Sequence, residues 1–171
     1  MRRALVLGCA ALATAALAFG PCVVRTPRWI WNASASIPVG LYRLEPSAAL
    51  SLGEIAAYRP SPERSAAFAA RGYLPDGLPL LKPVAATAPS VVCRWENRIV
   101  IDGQTVAEAL EKDAANRPLP RWAGCVKLGP SDVFLLAADV PDALDSRYFG
   151  PVDRRDLLGR LAPIHVKGAG R

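Results

Sequence analysis

The chain has 171 residues, 21 Lys and Arg against 15 Asp and Glu, and one histidine, giving a formal net charge of +6; 51% of it is hydrophobic. The length fits one domain, or one domain with an anchor. The single His165, close to the carboxy terminus, argues against His-rich metal sites and a Ser-His-Asp triad, and the basic residues are too dispersed for a phosphate-binding face. No metal, cofactor or nucleic acid is therefore expected.

Both excesses collect at the ends. Ala4 to Val24 is an uncharged run of 21 positions, 17 of them apolar, and Arg2, Arg3, Lys167 and Arg171 supply four of the six excess positive charges. The run is just long enough to span a bilayer. It reads either as an uncleaved anchor or as a secretory signal cut near Ala16-Leu17-Ala18. Residues 1–27 are thus assigned to export or anchoring and 28–171 to a body outside the cytoplasm. Trp29 and Trp31 follow the run and suit a membrane interface, or equally an ordinary strand.

In chain order, strands are expected at Ile55–Tyr58, Leu80–Ala85, Val91–Trp95, Ile99–Ile101, Cys125–Leu128, Val133–Ala137 and Leu161–Val166. Asp102-Gly103 predicts a hairpin returning through Thr105-Val106. Short helices are expected at Glu63–Arg71, after Pro60 and Pro62, and at Val106–Ala115. The architecture is mainly β, a barrel or folded sheets with few short helices. Cys93 and Cys125 either form a disulfide, contributing about 3–4 kcal/mol in an oxidising compartment, or remain buried thiols. Their spacing is no C-x-x-C, so metal or redox use is not expected.

Three stretches carry chemistry. Asn32-Ala33-Ser34-Ala35-Ser36-Ile37-Pro38-Val39-Gly40-Leu41-Tyr42 reads in isolation as a Pro/Gly turn entering a strand. The sequon Asn32-Ala33-Ser34 is discounted, because it overlaps the candidate site. Lys82 lies in the apolar run Leu78-Pro79-Leu80-Leu81-Lys82-Pro83-Val84 of a chain with 17 Arg and 4 Lys. A buried lysine loses its proton readily and can take one from a hydroxyl, although a lone strand lysine more often snorkels. Asp145-Ser146-Arg147, before Gly150, reads alone as a surface ion pair in a turn.

Together and in this order the three blocks resemble the signal peptidase I superfamily, serine proteases with a Ser-Lys dyad. Gly40-Leu41-Tyr42, Leu81-Lys82-Pro83-Val84-Ala85 and Val91-Val92-Cys93 are similar to the conjugative-transfer peptidases of the TraF type. The resemblance implies a signal-peptidase or LexA-like β fold, Ser36 as nucleophile, Lys82 as general base, and Ser34 with the Ser36 N–H as oxyanion hole. Asp145 and Arg147 become a supporting pair that holds the Lys82 loop, and Ser146 a candidate to position Lys82. It also implies a periplasmic peptidase at the inner membrane that processes a pilin precursor, by hydrolysis or by transpeptidation to a cyclic product; the oligomeric state stays open. The alternatives are a general signal peptidase I and an inactive pilus-assembly factor on the same fold. A LexA-like repressor would need a DNA-binding module where this chain has its apolar run. The chain departs from the family pattern at Ala143, where a serine usually bonds the lysine, and at Ala88-Pro89-Ser90, where a Pro-Gly-Asp turn is usual.

Overall fold

The computed structural model describes residues 28–46 and 50–167. The proposed export segment, 1–27, lies outside the described residues, and among those described no helix is long and apolar enough to cross a membrane.

Eleven strands are named: β1 (Trp29–Asn32), β2 (Gly40–Glu45), β3 (Ile55–Tyr58), β4 (Leu80–Thr87), β5 (Val91–Trp95), β6 (Arg98–Ile101), β7 (Gln104–Glu108), β8 (Gly124–Lys127), β9 (Asp132–Leu135), β10 (Val152–Asp153) and β11 (Leu157–Val166). Helix α1 (Pro62–Ala70) follows β3, and the single turn α2 (Ser146–Phe149) precedes β10. The strands form a seven-stranded sheet, order β1-β2-β11-β3-β4-β9-β10, and a four-stranded sheet, order β7-β6-β5-β8, with antiparallel pairing throughout. The mainly β expectation is met.

Local chemistry explains the elements. Ser61 caps α1 through its hydroxyl on Arg64 N–H, with Pro62 in the first turn, so the helix starts one residue before the expected Glu63. Asp102 (φ 49°) and Gly103 (φ 82°) both adopt the left-handed conformation that a two-residue hairpin requires. The long strand β11 pairs with both β2 and β3. At Gly159, beside a register shift, a Cβ would lie 2.3 Å from the Glu45 carbonyl oxygen, so only glycine permits that approach. The turn at 88–90 closes despite its unusual sequence: Ser90 N–H donates to Thr87 C=O at 3.0 Å, across a cis Ala88–Pro89 bond.

The helix expected at Val106–Ala115 does not form. Its first residues continue the hairpin, with Ala107 opposite Ile99 and Glu108 opposite Arg98, and Ala109 N–H then donates to Asn97 C=O at 2.7 Å. The Ala, Leu and Glu content of this stretch favours helix locally, but the sheet offers its backbone partners that a short solvated helix could not match.

The core follows the pleat. Strand β4 is central and buried on both faces: Leu80 and Val84 pack with Tyr58, Val133 and Leu135, whereas Leu81 packs with Ile37, Tyr42 and Leu161. A third cluster, with Val92, Ile99, Phe134 and Leu136, joins the two sheets. Cys93 and Cys125 oppose one another on β5 and β8 and form a disulfide, S–S 2.07 Å, which settles the choice left open by their spacing. Replacing both by alanine should lower unfolding free energy by about 3–4 kcal/mol through the loop that the bridge closes. Urea unfolding of oxidised parent and double variant tests this; equal midpoints would refute it.

Candidate active site

Three elements converge. Strand β4 carries Lys82 on the same face as Val84 and Ala86, and its side chain is buried with theirs. Lys82 is 4% exposed. Its Nζ lies 2.5 Å from Ser36 Oγ, a residue 46 positions earlier in the turn between β1 and β2. Burial is the main cause that pulls the Lys82 pKa down from 10.5 to about 8, with Arg147 adding to the fall and Asp145 and Asp142 opposing it.

The turn that presents Ser36 is organised by Asn32. This side chain is 4% exposed, and its Nδ2 donates to Ser34 C=O (2.7 Å), Ile37 C=O (3.0 Å) and Pro38 C=O (3.1 Å). Its Oδ1 accepts from Ser34 N–H at 3.2 Å and from the Ser34 hydroxyl at 2.9 Å. Tyr42 Oη, from β2, adds a bond of 2.7 Å to Pro38 C=O. Ser34 Oγ stands 3.2 Å from Ser36 Oγ. Nothing in the apolar spacing indicated Asn32, but an Asx turn two residues before a serine was a readable signal.

Behind Lys82 lies the Asp145–Arg147 pair. It is no surface turn: both side chains are fully buried, joined at 2.8 Å and 3.0 Å in a two-bond fork. The three remaining guanidinium donors reach Glu108 C=O (3.0 Å), Pro141 C=O (3.1 Å) and Ala137 C=O (2.7 Å). Asp145 also accepts from Ala137 N–H and Arg147 N–H, at 3.0 and 3.1 Å. Burial pushes the Asp145 carboxyl up from the usual carboxylate range, against the pull of Arg147 and these two amides. The pair fixes segment 137–141 and the end of β7, while Lys82 sits in β4, within the strand expected at Leu80–Ala85.

Ser146 is fully buried and accepts from Leu135 N–H at 3.1 Å, which ties α2 to β9. Among the described residues, the hydrogen-bond partner that the structure gives Lys82 is Ser36. Ala143, the departure noted in the sequence, is 5% exposed and has no hydroxyl to offer Lys82. Two further side chains hold the Asp145–Arg147 segment: Arg94 of β5 donates to Arg147 C=O at 2.5 Å, and Trp122, in the segment before β8, donates from Nε1 to Ser146 C=O at 3.1 Å.

Ser36 and Lys82 open onto a cleft of about 850 Å³. One wall is the edge strand β1 with Trp29 and Trp31, 56% and 60% exposed; the facing wall runs from Leu78 through Lys82. Asp142 to Leu144 close one side. Tyr73, whose hydroxyl donates to Asp113 at 2.6 Å, connects that side to the loop after β7.

A half-buried hydroxyl against a desolvated amine, both lining a mostly apolar cleft, has the chemistry for a nucleophile with a neighbouring base. The family described as "Signal peptidase, peptidase S26" matches residues 1–165. The chain belongs to that family. Within it, the chain is similar to a plasmid transfer protein TraF of Escherichia coli, 30% identical over 144 residues that cover 78% of this chain and 80% of the relative. A conjugal transfer protein TraF of Agrobacterium fabrum is 33% identical over 145 residues, again 78% and 80%. A probable conjugal transfer protein TraF of Sinorhizobium fredii is 35% identical over 140 residues, 75% of this chain and 72% of that one. A signal peptidase I structure from Enterococcus faecalis superposes with a TM-score of 0.39 at 19% identity, covering 67% of this chain and 97% of the other. For this S26 chain, then, the match to TraF relatives extends over most of its length.

Proposed function

We propose that this chain is an exported serine endopeptidase that processes a pilin precursor for conjugative transfer, working in the periplasm beside the inner membrane. The observation that carries the reading is the 2.5 Å contact between Ser36 Oγ and the buried Lys82 amine. Membership of the S26 family and the TraF relatives support the same reading.

The chemistry follows from the geometry. Neutral Lys82 takes the Ser36 hydroxyl proton as Oγ attacks the scissile carbonyl carbon. Developing charge on the carbonyl oxygen is met by the Ser36 N–H and the Ser34 hydroxyl, each such donor typically contributing about 3 kcal/mol of transition-state stabilisation. The C–N bond then breaks, Lys82 returns the proton to the leaving amine, and an ester on Ser36 remains. Water releases a linear product, whereas the precursor's own amino terminus would release a cyclic one, lighter by one water. The substrate adds as an extended strand between β1 and the Leu78–Lys82 segment, with small pockets for alanine-like side chains. Trp29 and Trp31, exposed on β1, suit the membrane interface where an anchored precursor arrives.

Only neutral Lys82 can act as base, so kcat/KM should rise with pH and level off above about 8. Roughly one molecule in ten would be competent at pH 7, rather than fewer than one in a thousand for an ordinary lysine. A pH profile on an internally quenched peptide, alanine at the first and third positions before the cut, measures this. A plateau reached already at pH 6 would contradict a lysine base.

A further inference from the structure

Asn32 stands at the head of the Asn32–Tyr42 block, and it bonds to more of the nucleophile turn than any other side chain described. Its orientation is fixed by its surroundings. Nδ2 faces three carbonyl oxygens and Oδ1 faces the Ser34 N–H, so turning the amide over would set oxygen against oxygen. Oδ1 can only accept, so the Ser34 hydroxyl, 2.9 Å away, must donate to it. Ser34 Oγ therefore meets Ser36 Oγ, at 3.2 Å, with a lone pair rather than a proton.

We propose that Asn32 is a positioning residue with two tasks: Nδ2 clamps the turn that presents Ser36, and Oδ1 holds the Ser34 proton, keeping Ser34 an acceptor toward Ser36 until substrate displaces that bond. While Lys82 is an ammonium it donates to Ser36, Ser36 to Ser34, and Ser34 to Asn32. This head-to-tail chain supports the charged amine, and each bond polarises the next. When Lys82 is neutral the Ser36 proton turns toward it instead, which is the reactive arrangement. To serve an oxyanion, the Ser34 hydroxyl has to leave Asn32, so the second donor of the hole forms only when substrate is present. The buried Nδ2, with three carbonyl partners, also explains why the Asn32-Ala33-Ser34 sequon presents no free amide.

The inference rests on the Ser36–Lys82 reading, but its test does not require turnover. The chain has only four lysines, so Lys82 can be followed by NMR of ¹³Cε-labelled lysine across pH. Asp145, Arg147 and Asp142 also act on its charge and are unchanged in the variants. In Ser34→Ala, which keeps every Nδ2 bond, and in Asn32→Ala, the Lys82 midpoint should fall by about half a pH unit as the ammonium loses its chain. The double variant should fall no further than the larger single one, because both act through one chain. Asn32→Ala should also lose about a hundredfold in kcat with little change in KM on the quenched peptide. An unchanged or raised midpoint in Ser34→Ala, or additive shifts in the double variant, would overturn the proposal. A parent that titrates as expected but cleaves nothing would defeat the peptidase reading and leave the role of Asn32 standing.

Discussion

Lys82→Met is expected to lose turnover by at least about a thousandfold and, at pH 7, to unfold at a higher temperature than the parent. The two effects have one cause. Lys82 is buried on an apolar strand face, and its pKa is lowered from 10.5 to about 8 chiefly by desolvation. The folded protein therefore holds this proton less tightly than the unfolded chain does. Stability consequently rises with pH between about 8 and 10.5, and below 8 the protein bears the full cost of a buried ammonium. At roughly 1.4 kcal/mol per pH unit that cost is on the order of 3 kcal/mol. Methionine fills similar space without charge and should recover about 1–3 kcal/mol at pH 7, less the lost bond to Ser36. Thermal melts from pH 6 to 11 test the account: the advantage of the variant should shrink above pH 8 and vanish near 10.5. A variant less stable than the parent at pH 7 would mean that the amine is better solvated than its burial indicates.

Breaking the Asp145–Arg147 pair should have the largest effect on stability. Arg147→Met leaves a fully buried carboxylate without its cation and strips donors from the carbonyls of Glu108, Ala137 and Pro141. Removing one partner of such a pair typically costs about 3–5 kcal/mol. The pair also acts on Lys82 with opposite signs, Asp145 raising its pKa and Arg147 lowering it. Arg147→Met should therefore move the rising limb of the pH profile to higher pH, and Asp145→Asn to lower pH. Chemical unfolding gives the stability loss, and rate profiles of the surviving fraction give the two shifts. Shifts in the same direction would show that the pair acts on Lys82 through geometry alone.

Much of this was legible in the residues. The strands at 55–58 and 91–95, and the one expected at 133–137 that forms at 132–135, followed from short β-branched or apolar runs, and Asp102-Gly103 fixed its hairpin because left-handed backbone needs such residues. Lys82 stood out as a rare lysine in an apolar strand-like run, whose leucines suggested desolvation of the amine. What the sequence could not carry were contacts made across the fold. Asp145-Ser146-Arg147 looks like a solvated turn because the carbonyls that bury Arg147 come from positions 108, 137 and 141. The expected helix at 106–115 failed for the same reason: its backbone partners, Ile99 and Asn97, lie in the preceding strand and turn. Arg94 of β5 and Trp122, just before β8, brace the Asp145–Arg147 segment, a relation no local pattern encodes.

The most direct test of the Ser36–Lys82 assignment is mass spectrometry of the pilin precursor from the same conjugation system after incubation with parent, Ser36→Ala and Lys82→Ala proteins. The account predicts a processed product, linear or lighter by one water, from the parent alone, with the precursor intact in both variants. Processing by both alanine variants at the parental rate would contradict it.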